Sequence, residues 1–422
     1  MRTDTFQDSD DPNATRPDGE KFDAERVRKE FPILSRSVNG KPLVYLDSAA
    51  TSQKPRAMIE RLVQLYGHEY ARPEEGHALS NEATEAFEGT RKKVATLINA
   101  GEPSEIIFTR GATEGLNLVA LMMVRSGLGP GDEVVISLQE HHSNLLPWLI
   151  SCRDTGATLR VAPITASSDI DLDALAKMLS DRVRIVAITH VSNVTGGINP
   201  VQQITALAKA QGALVLIDGA QAVAHLPIDV QAIGCDFYTG SGHKMGGPSS
   251  VGFLWGRKSV LDAMPLADSG SNMAEAVTLE TVEPKPIPNK YEAGEPAFGE
   301  VEAWSPAIDY WTGLGMEAIA AYEKSLTEYA RGKLNAIEGV RILGDPADRI
   351  SIVTFTVDGV EAKAVEKALD AEGIAVRAGS LEAEPFVKEL GVNQAVRASF
   401  VLYNTVQEAD ALASVVQRIA QG

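Results

Sequence analysis

Cysteine is almost absent from this chain. Only Cys152 and Cys235 occur in 422 residues. Two thiols so placed give no disulfide framework, and both read as buried free thiols. Positive charge is also scarce. Lys and Arg total 39 against 57 Asp and Glu, a formal net charge of −18. That balance argues against nucleic-acid binding and for a soluble, cytoplasmic protein. No apolar run reaches the length of a membrane span, so no membrane partner is expected. Residues 1–22 carry Asp, Pro, Gly and Arg but no apolar signal core, and read as a polar, disordered tail. Internal repeats and low-complexity tracts are missing.

What is present is a well-patterned interior. Hydrophobic residues make up 44% of the chain, and its length suggests two domains. Short β-branched runs at 105–108, 133–137, 158–162, 183–189, 213–218, 236–239 and 251–255 read as seven strands. Helical patterns at 113–123, 171–179 and 201–211 alternate with them. A further helix at 81–99 puts Ala83, Phe87, Val94 and Leu97 on one face. This alternation predicts an α/β domain with a mainly parallel, seven-stranded sheet. Residues 266–296, rich in Pro, Gly, Glu and Ser, read as a long irregular connection close to the active site. A helical stretch at 301–331 follows. Strands at 349–357, 374–377 and 395–402, with helices at 362–371 and 406–420, then predict a smaller C-terminal α+β domain. The expected division is 23–300 and 301–422, the first residues being free to join the smaller part.

The chemistry gathers at predicted strand ends. Thr239-Gly240-Ser241-Gly242-His243-Lys244 follows a short apolar strand. A lysine on such a turn suits an amine that reaches an aldehyde, as in pyridoxal phosphate (PLP). PLP chemistry also needs an anion near the pyridine nitrogen and a cradle for the phosphate. Asp218 ends the run Leu214-Val215-Leu216-Ile217 and needs a partner if buried. A pyridinium would serve, and a helix N-cap is the other reading. Gly111-Ala112-Thr113-Glu114-Gly115 follows a strand and opens a helix, the geometry of a phosphate site. Glu140-His141-His142-Ser143-Asn144 follows another strand. Its paired histidines have no His/Cys neighbours in sequence, so no metal is expected. Asn193, in His190-Val191-Ser192-Asn193, is placed to donate to a phenolate oxygen.

These segments, together with Tyr45-Leu46-Asp47-Ser48-Ala49-Ala50 and Asp218-Gly219-Ala220-Gln221, resemble the fold-type I PLP enzymes of aminotransferase class V. The nearest group is the cysteine desulfurase/selenocysteine lyase type. The resemblance runs from about Phe31 to the C-terminus. It implies that Lys244 forms the Schiff base and shuttles a proton. It also implies that Asp218 pairs with the pyridine nitrogen, and that Gln221 and Asn193 address the O3′ side. His141 then stacks on the ring, while Ala112, Thr113, Ser241 and His243 hold the phosphate. Arg397 binds the substrate α-carboxylate, Arg377 lines the same pocket, and the assembly is a homodimer.

The chain also departs from that pattern. The family's loop cysteine, five residues after the arginine matching Arg377, corresponds to Glu382, and a carboxylate cannot carry a persulfide. The family's His-Arg-Gly corresponds to Glu74-Glu75-Gly76, and its Ala-Gly-Thr-Pro to Ala293-Gly294-Glu295-Pro296. The expectation is therefore an enzyme other than a standard cysteine desulfurase. Glu75 and Glu295 would then recognise a substrate with a distal cation, although drift on an acidic chain is the other reading. Transamination ranks first among the reactions. β-Elimination by a C–S lyase and epimerisation follow, with Glu382 joining Lys244 and His141 as a catalytic candidate. A non-catalytic partner paralogue is the alternative outside enzymology.

Overall fold

The computed structural model describes residues 22–422. Its centre is a seven-stranded sheet. The strands are β1 (Ile106–Thr109), β2 (Glu133–Ser137), β3 (Thr158–Ala162), β4 (Val183–Thr189), β5 (Leu214–Asp218), β6 (Phe237–Ser241) and β7 (Gly252–Gly256). They lie in the order β1-β7-β6-β5-β4-β2-β3. All pairs are parallel except those made by β7, which is antiparallel to β1 and β6. The central strands are buried along nearly their whole length, apart from Arg184 and Leu214 near strand starts. Helices on both faces leave no solvated side, so the strands read as continuous apolar runs rather than alternating ones.

Four helices bear on the site. They are α1 (Ala78–Leu97), α2 (Ala112–Arg125), α3 (His142–Thr155) and, after the sheet, α4 (Phe298–Leu314). α2 follows β1 and α3 follows β2 after a few residues, so both N-termini open at the edge where strands end. Gly219 and Gly252 permit the tight turns there. A Cβ on Gly219 would sit 2.1 Å from the Tyr238 ring, and one on Gly252 would sit 2.5 Å from the Gly111 Cα.

The smaller C-terminal sheet has β8 (Val340–Ile342), β9 (Ile352–Val357), β10 (Arg377–Gly379) and β11 (Ala395–Ser399), ordered β8-β9-β11-β10 and antiparallel throughout. The N-terminal pair Val44–Tyr45 runs parallel with Ile374–Ala375, so the first residues do pack on this part.

Four expectations change in detail. The helical stretch at 301–331 is two helices, α4 and Met316–Asn335, broken at Gly315, whose φ is 88°. The expected strand at 374–377 divides between the pairing with Val44–Tyr45 and β10. The connection at 266–296 contains a hairpin, Ala274–Val277 with Val282–Pro284. Phe22, assigned to the tail, is buried and stacks on Tyr322 with centroids 4.6 Å apart. The rest of that tail lies outside the described residues. Among the described residues no helix is long and apolar enough to cross a membrane.

One buried charge ties the long connection to the sheet. Arg91 on α1 is 2% exposed and bonds Glu292 through both terminal nitrogens, at 2.7 and 3.1 Å. Arg91 also donates to the Ile106 carbonyl, and Glu292 accepts from the Phe108 amide at 2.6 Å. Removing one partner strands the other charge in a dry site. Arg91→Ala is therefore expected to cost about 3–5 kcal/mol of unfolding free energy in denaturant titration. A loss under about 1 kcal/mol would show that the pair does not hold this segment.

Candidate active site

A cleft of about 290 Å³ opens at the strand ends, between the seven-stranded sheet and the C-terminal sheet. Its lining includes Ala112, Thr113, His141, Asn193, Asp218, Gln221, Ser241, His243, Lys244, Arg377, Glu382 and Arg397. Positions spread over almost 300 residues of sequence thus converge on one cavity.

At its floor are two opposite charges. Asp218 ends β5, is 4% exposed, and accepts from the Ala220 amide at 2.9 Å. Burial pushes its carboxyl pKa upward, against the pull of that amide and of Lys244. Lys244 ends the short turn Gly242–Lys244 that follows β6. Glycine is needed nearby because Trp304 packs against the turn: a Cβ at Gly247 would be 2.4 Å from its ring. Burial lowers the Lys244 amine to a pKa of about 8, with Asp218 opposing the shift. No helix opens directly after Asp218, so it is not a helix N-cap. One oxygen steadies the next turn while the carboxylate still lines the cleft.

An anion cradle forms one end. The 14-residue helix α2 begins after Gly111, whose φ of 140° favours glycine. Ser241 Oγ accepts from the Ala112 amide at 2.9 Å, and the Thr113 and Ser143 hydroxyls are 2.8 Å apart. His243 joins them, with its pKa lowered to about 4 by burial and then by Lys244.

At the other end Arg397, on β11, is 3% exposed. It donates to the Asn193 carbonyl at 3.0 Å and to Asp47 at 3.3 Å, and its Nε is buried without a partner. Gln221 donates to the Ala49 carbonyl, and its Oε1 is likewise buried and unpartnered. Buried polar atoms left open on a cavity wall call for a bound group. A carboxylate, an amine, a helix N-terminus with hydroxyls and a buried guanidinium fit PLP with an amino acid beside it.

His141 caps α3. Its Nδ1 accepts from the Ser143 amide at 3.1 Å and its Nε2 lies 3.0 Å from Glu382. Burial, then Lys244, lowers its pKa to about 4, so the ring is neutral at pH 7. Asn193 lines the cleft as well. One of its amide hydrogens goes to the Leu381 carbonyl at 2.8 Å, which leaves one donor for a ligand.

Sequence reasoning missed Asp47, which lies 3.6 Å from Arg377 and 3.3 Å from Arg397. The Tyr45-Leu46-Asp47 motif was its only signal. It also missed Glu140, a buried carboxylate whose pKa burial raises to about 7 beside Ser137 and Asn144. Glu75 and Glu295 do not reach the cleft. Both form ion pairs with Arg72 at a separate surface groove, Glu295 at 2.8 Å.

The aminotransferase class-V family model matches residues 44–412. A cysteine desulfurase of Serratia proteamaculans (strain 568) is 47% identical over 401 residues, covering 94% of this chain and 98% of its own. The solved cysteine desulfurase CsdA of Escherichia coli superposes with a TM-score of 0.88 at 36% identity, over 95% of this chain and 99% of its own. The apo cysteine desulfurase of Thermococcus onnurineus NA1 gives 0.89 at 32%, over 94% and 98%. These findings overturn the expectation of something other than a standard cysteine desulfurase, and with it the ranking of transaminase, C–S lyase, epimerase or silent paralogue. That expectation weighed one loop position, Glu382, above similarity that spans nearly the whole chain.

The lowered Lys244 pKa has a direct readout. Its amine loses the proton as pH rises through about 8, not 10.5. Labelling of Lys244 in the cofactor-free protein by an amine-selective reagent, followed by mass spectrometry, should show a midpoint near pH 8. Asp218→Asn should move it lower, because the neighbouring carboxylate favours the charged amine. A midpoint above 10 would mean the cleft floor is not dry.

Proposed function

Because the chain belongs to the aminotransferase class-V family of fold-type I PLP enzymes, and because its cleft holds no thiol, we propose a cysteine desulfurase that passes sulfur to a thiol from outside the chain. The observation that carries this reading is the position of the cysteines. Both are buried and neither lines the cleft. Burial raises the Cys152 thiol to a pKa of about 11 and Cys235 to about 12, so neither supplies thiolate at neutral pH.

The net reaction balances as cysteine plus R–SH giving alanine plus R–S–SH. The Cβ–S bond and the acceptor's S–H bond break, and an S–S and a C–H bond form. Both sulfurs, the substrate's and the acceptor's, are oxidised by one electron each, and Cβ is reduced by two. PLP, when bound, supplies the electron sink at Cα.

The chain's own groups do the rest. Arg397 takes the substrate α-carboxylate as a fork, with Asp47 and the Asn193 carbonyl fixing its plane. Arg377 and Asp47 complete the charged wall beside it. Lys244 Nζ, with its pKa near 8, can hold or release a proton at working pH. Asp218 would keep a bound pyridine nitrogen protonated, and the α2 N-terminus with Thr113, Ser143, Ser241 and His243 would hold the phosphate. His141 presents a neutral ring, its Nδ1 occupied by the Ser143 amide. A homodimer is the proposed assembly. Exposed Leu121 on α2 and Leu146, Leu149 and Ile150 on the adjacent α3 support it.

With L-cysteine and dithiothreitol, the holoenzyme should form alanine and sulfide together, at a rate that rises with the dithiol. Lys244→Ala should lower that rate by roughly a thousandfold. The double variant Cys152→Ser/Cys235→Ser should keep it. Pyruvate and ammonia in place of alanine would overturn the reaction. Loss of alanine formation in a folded double variant would overturn the external acceptor.

A further inference from the structure

Residues 380–384 cross the mouth of the cleft in costly backbone geometry. Leu381 and Glu382 are consecutive non-glycine residues with φ of 59° and 55°, in the left-handed region. Such a pair persists only where the surroundings over-determine it, and here they do. The His142 amide donates to the Glu382 carbonyl at 2.9 Å, and the Asn193 side chain donates to the Leu381 carbonyl at 2.8 Å. The Ser380 hydroxyl bonds Glu384 at 2.5 Å, and Glu384 also meets the His142 imidazole. Leu381, Ala383, Phe386 and Val387 pack with Val194 in a buried cluster of their own.

The two adjacent histidines therefore meet two loop carboxylates, His141 with Glu382 and His142 with Glu384. Only the first contact lies within the cleft lining. The His141 proton is fixed by elimination. Nδ1 accepts from a backbone amide, so the hydrogen sits on Nε2, and that nitrogen lies 3.0 Å from the Glu382 carboxylate. Arg377 Nη1, 4.0 Å from the other oxygen, steadies that carboxylate from the opposite side.

We propose that Glu382 is a positioning residue, which holds the His141 ring as an Nε2–H donor from a loop fixed over the cleft mouth. Glu384 and His142 brace the same loop but do not touch the ring that lines the cleft. The proposal concerns ring orientation alone, so it stands or falls separately from the external thiol acceptor.

Imidazole-¹⁵N NMR of the holoenzyme tests it, with the His141 signals assigned by their loss in His141→Gln. The wild type should show an Nε2-bound proton that exchanges slowly with solvent. Glu382→Gln keeps an acceptor oxygen and should retain it. Glu382→Ala should speed its exchange by roughly tenfold or more. Glu384→Ala should loosen the amides of 380–384 in hydrogen–deuterium exchange while moving the His141 proton far less. Unchanged His141 exchange in Glu382→Ala would overturn the proposal. So would an equal effect from Glu384→Ala, because the role would then be that of a general loop brace.

Discussion

A carboxylate and an amine face the same dry cavity floor, and the rest of the site is arranged around that constraint. Asp218 and Lys244 are each displaced toward their neutral forms, the acid upward and the amine down to about pKa 8. Low dielectric penalises both charges, and their mutual attraction offsets only part of the penalty. A ring nitrogen that carries a proton beside Asp218 removes the mismatch on one side. An amine that is half-deprotonated near pH 8 is useful on the other. The parallel sheet makes this possible by ending β5 and β6 at the same edge, with Asp218 paired to Thr239 in register.

The two ends of the cleft follow similar logic. At one end, the N-terminus of α2 and a set of hydroxyls present fixed partial positive charge. At the other end Arg397 keeps its charge in the interior because Asp47 and a backbone carbonyl share it, while its Nε stays open. The loop at 380–384 lines the cleft through Leu381 and Glu382 and links three elements: the α3 N-terminus through His141 and His142, Asn193 in the segment after β4, and β10. Function thus depends on contacts between the large sheet and the smaller C-terminal part, and neither half builds the site alone.

Much of this was legible in the sequence for a definite reason. Parallel strands covered on both faces read as unbroken apolar runs, and the residues just after them, such as Asp218, Asn193 and His141, fall at the cleft edge by topology. What failed was anything decided by distant partners. Asp47 gains its role from Arg397, 350 positions away, and only the Tyr45-Leu46-Asp47 motif marks it locally. Glu295 looked like a free carboxylate because Arg72, 223 positions away, meets it only through folding, whereas the Arg72–Glu75 pair is local. The hairpin inside 266–296 was invisible because its exposed strands bury no face and carry no periodicity. The reading of Glu382 as the end of desulfurase chemistry erred differently, by treating one side chain as decisive for a whole family relationship.

The central claim is that Asp218 holds the cofactor's ring charge in a dry site. PLP binding to Lys244→Ala, where no covalent bond to this lysine can mask the affinity, compared with Lys244→Ala/Asp218→Asn, tests it most directly. Equilibrium titration should find the double variant about thirtyfold or more weaker. Affinities within about twofold of each other would contradict the account.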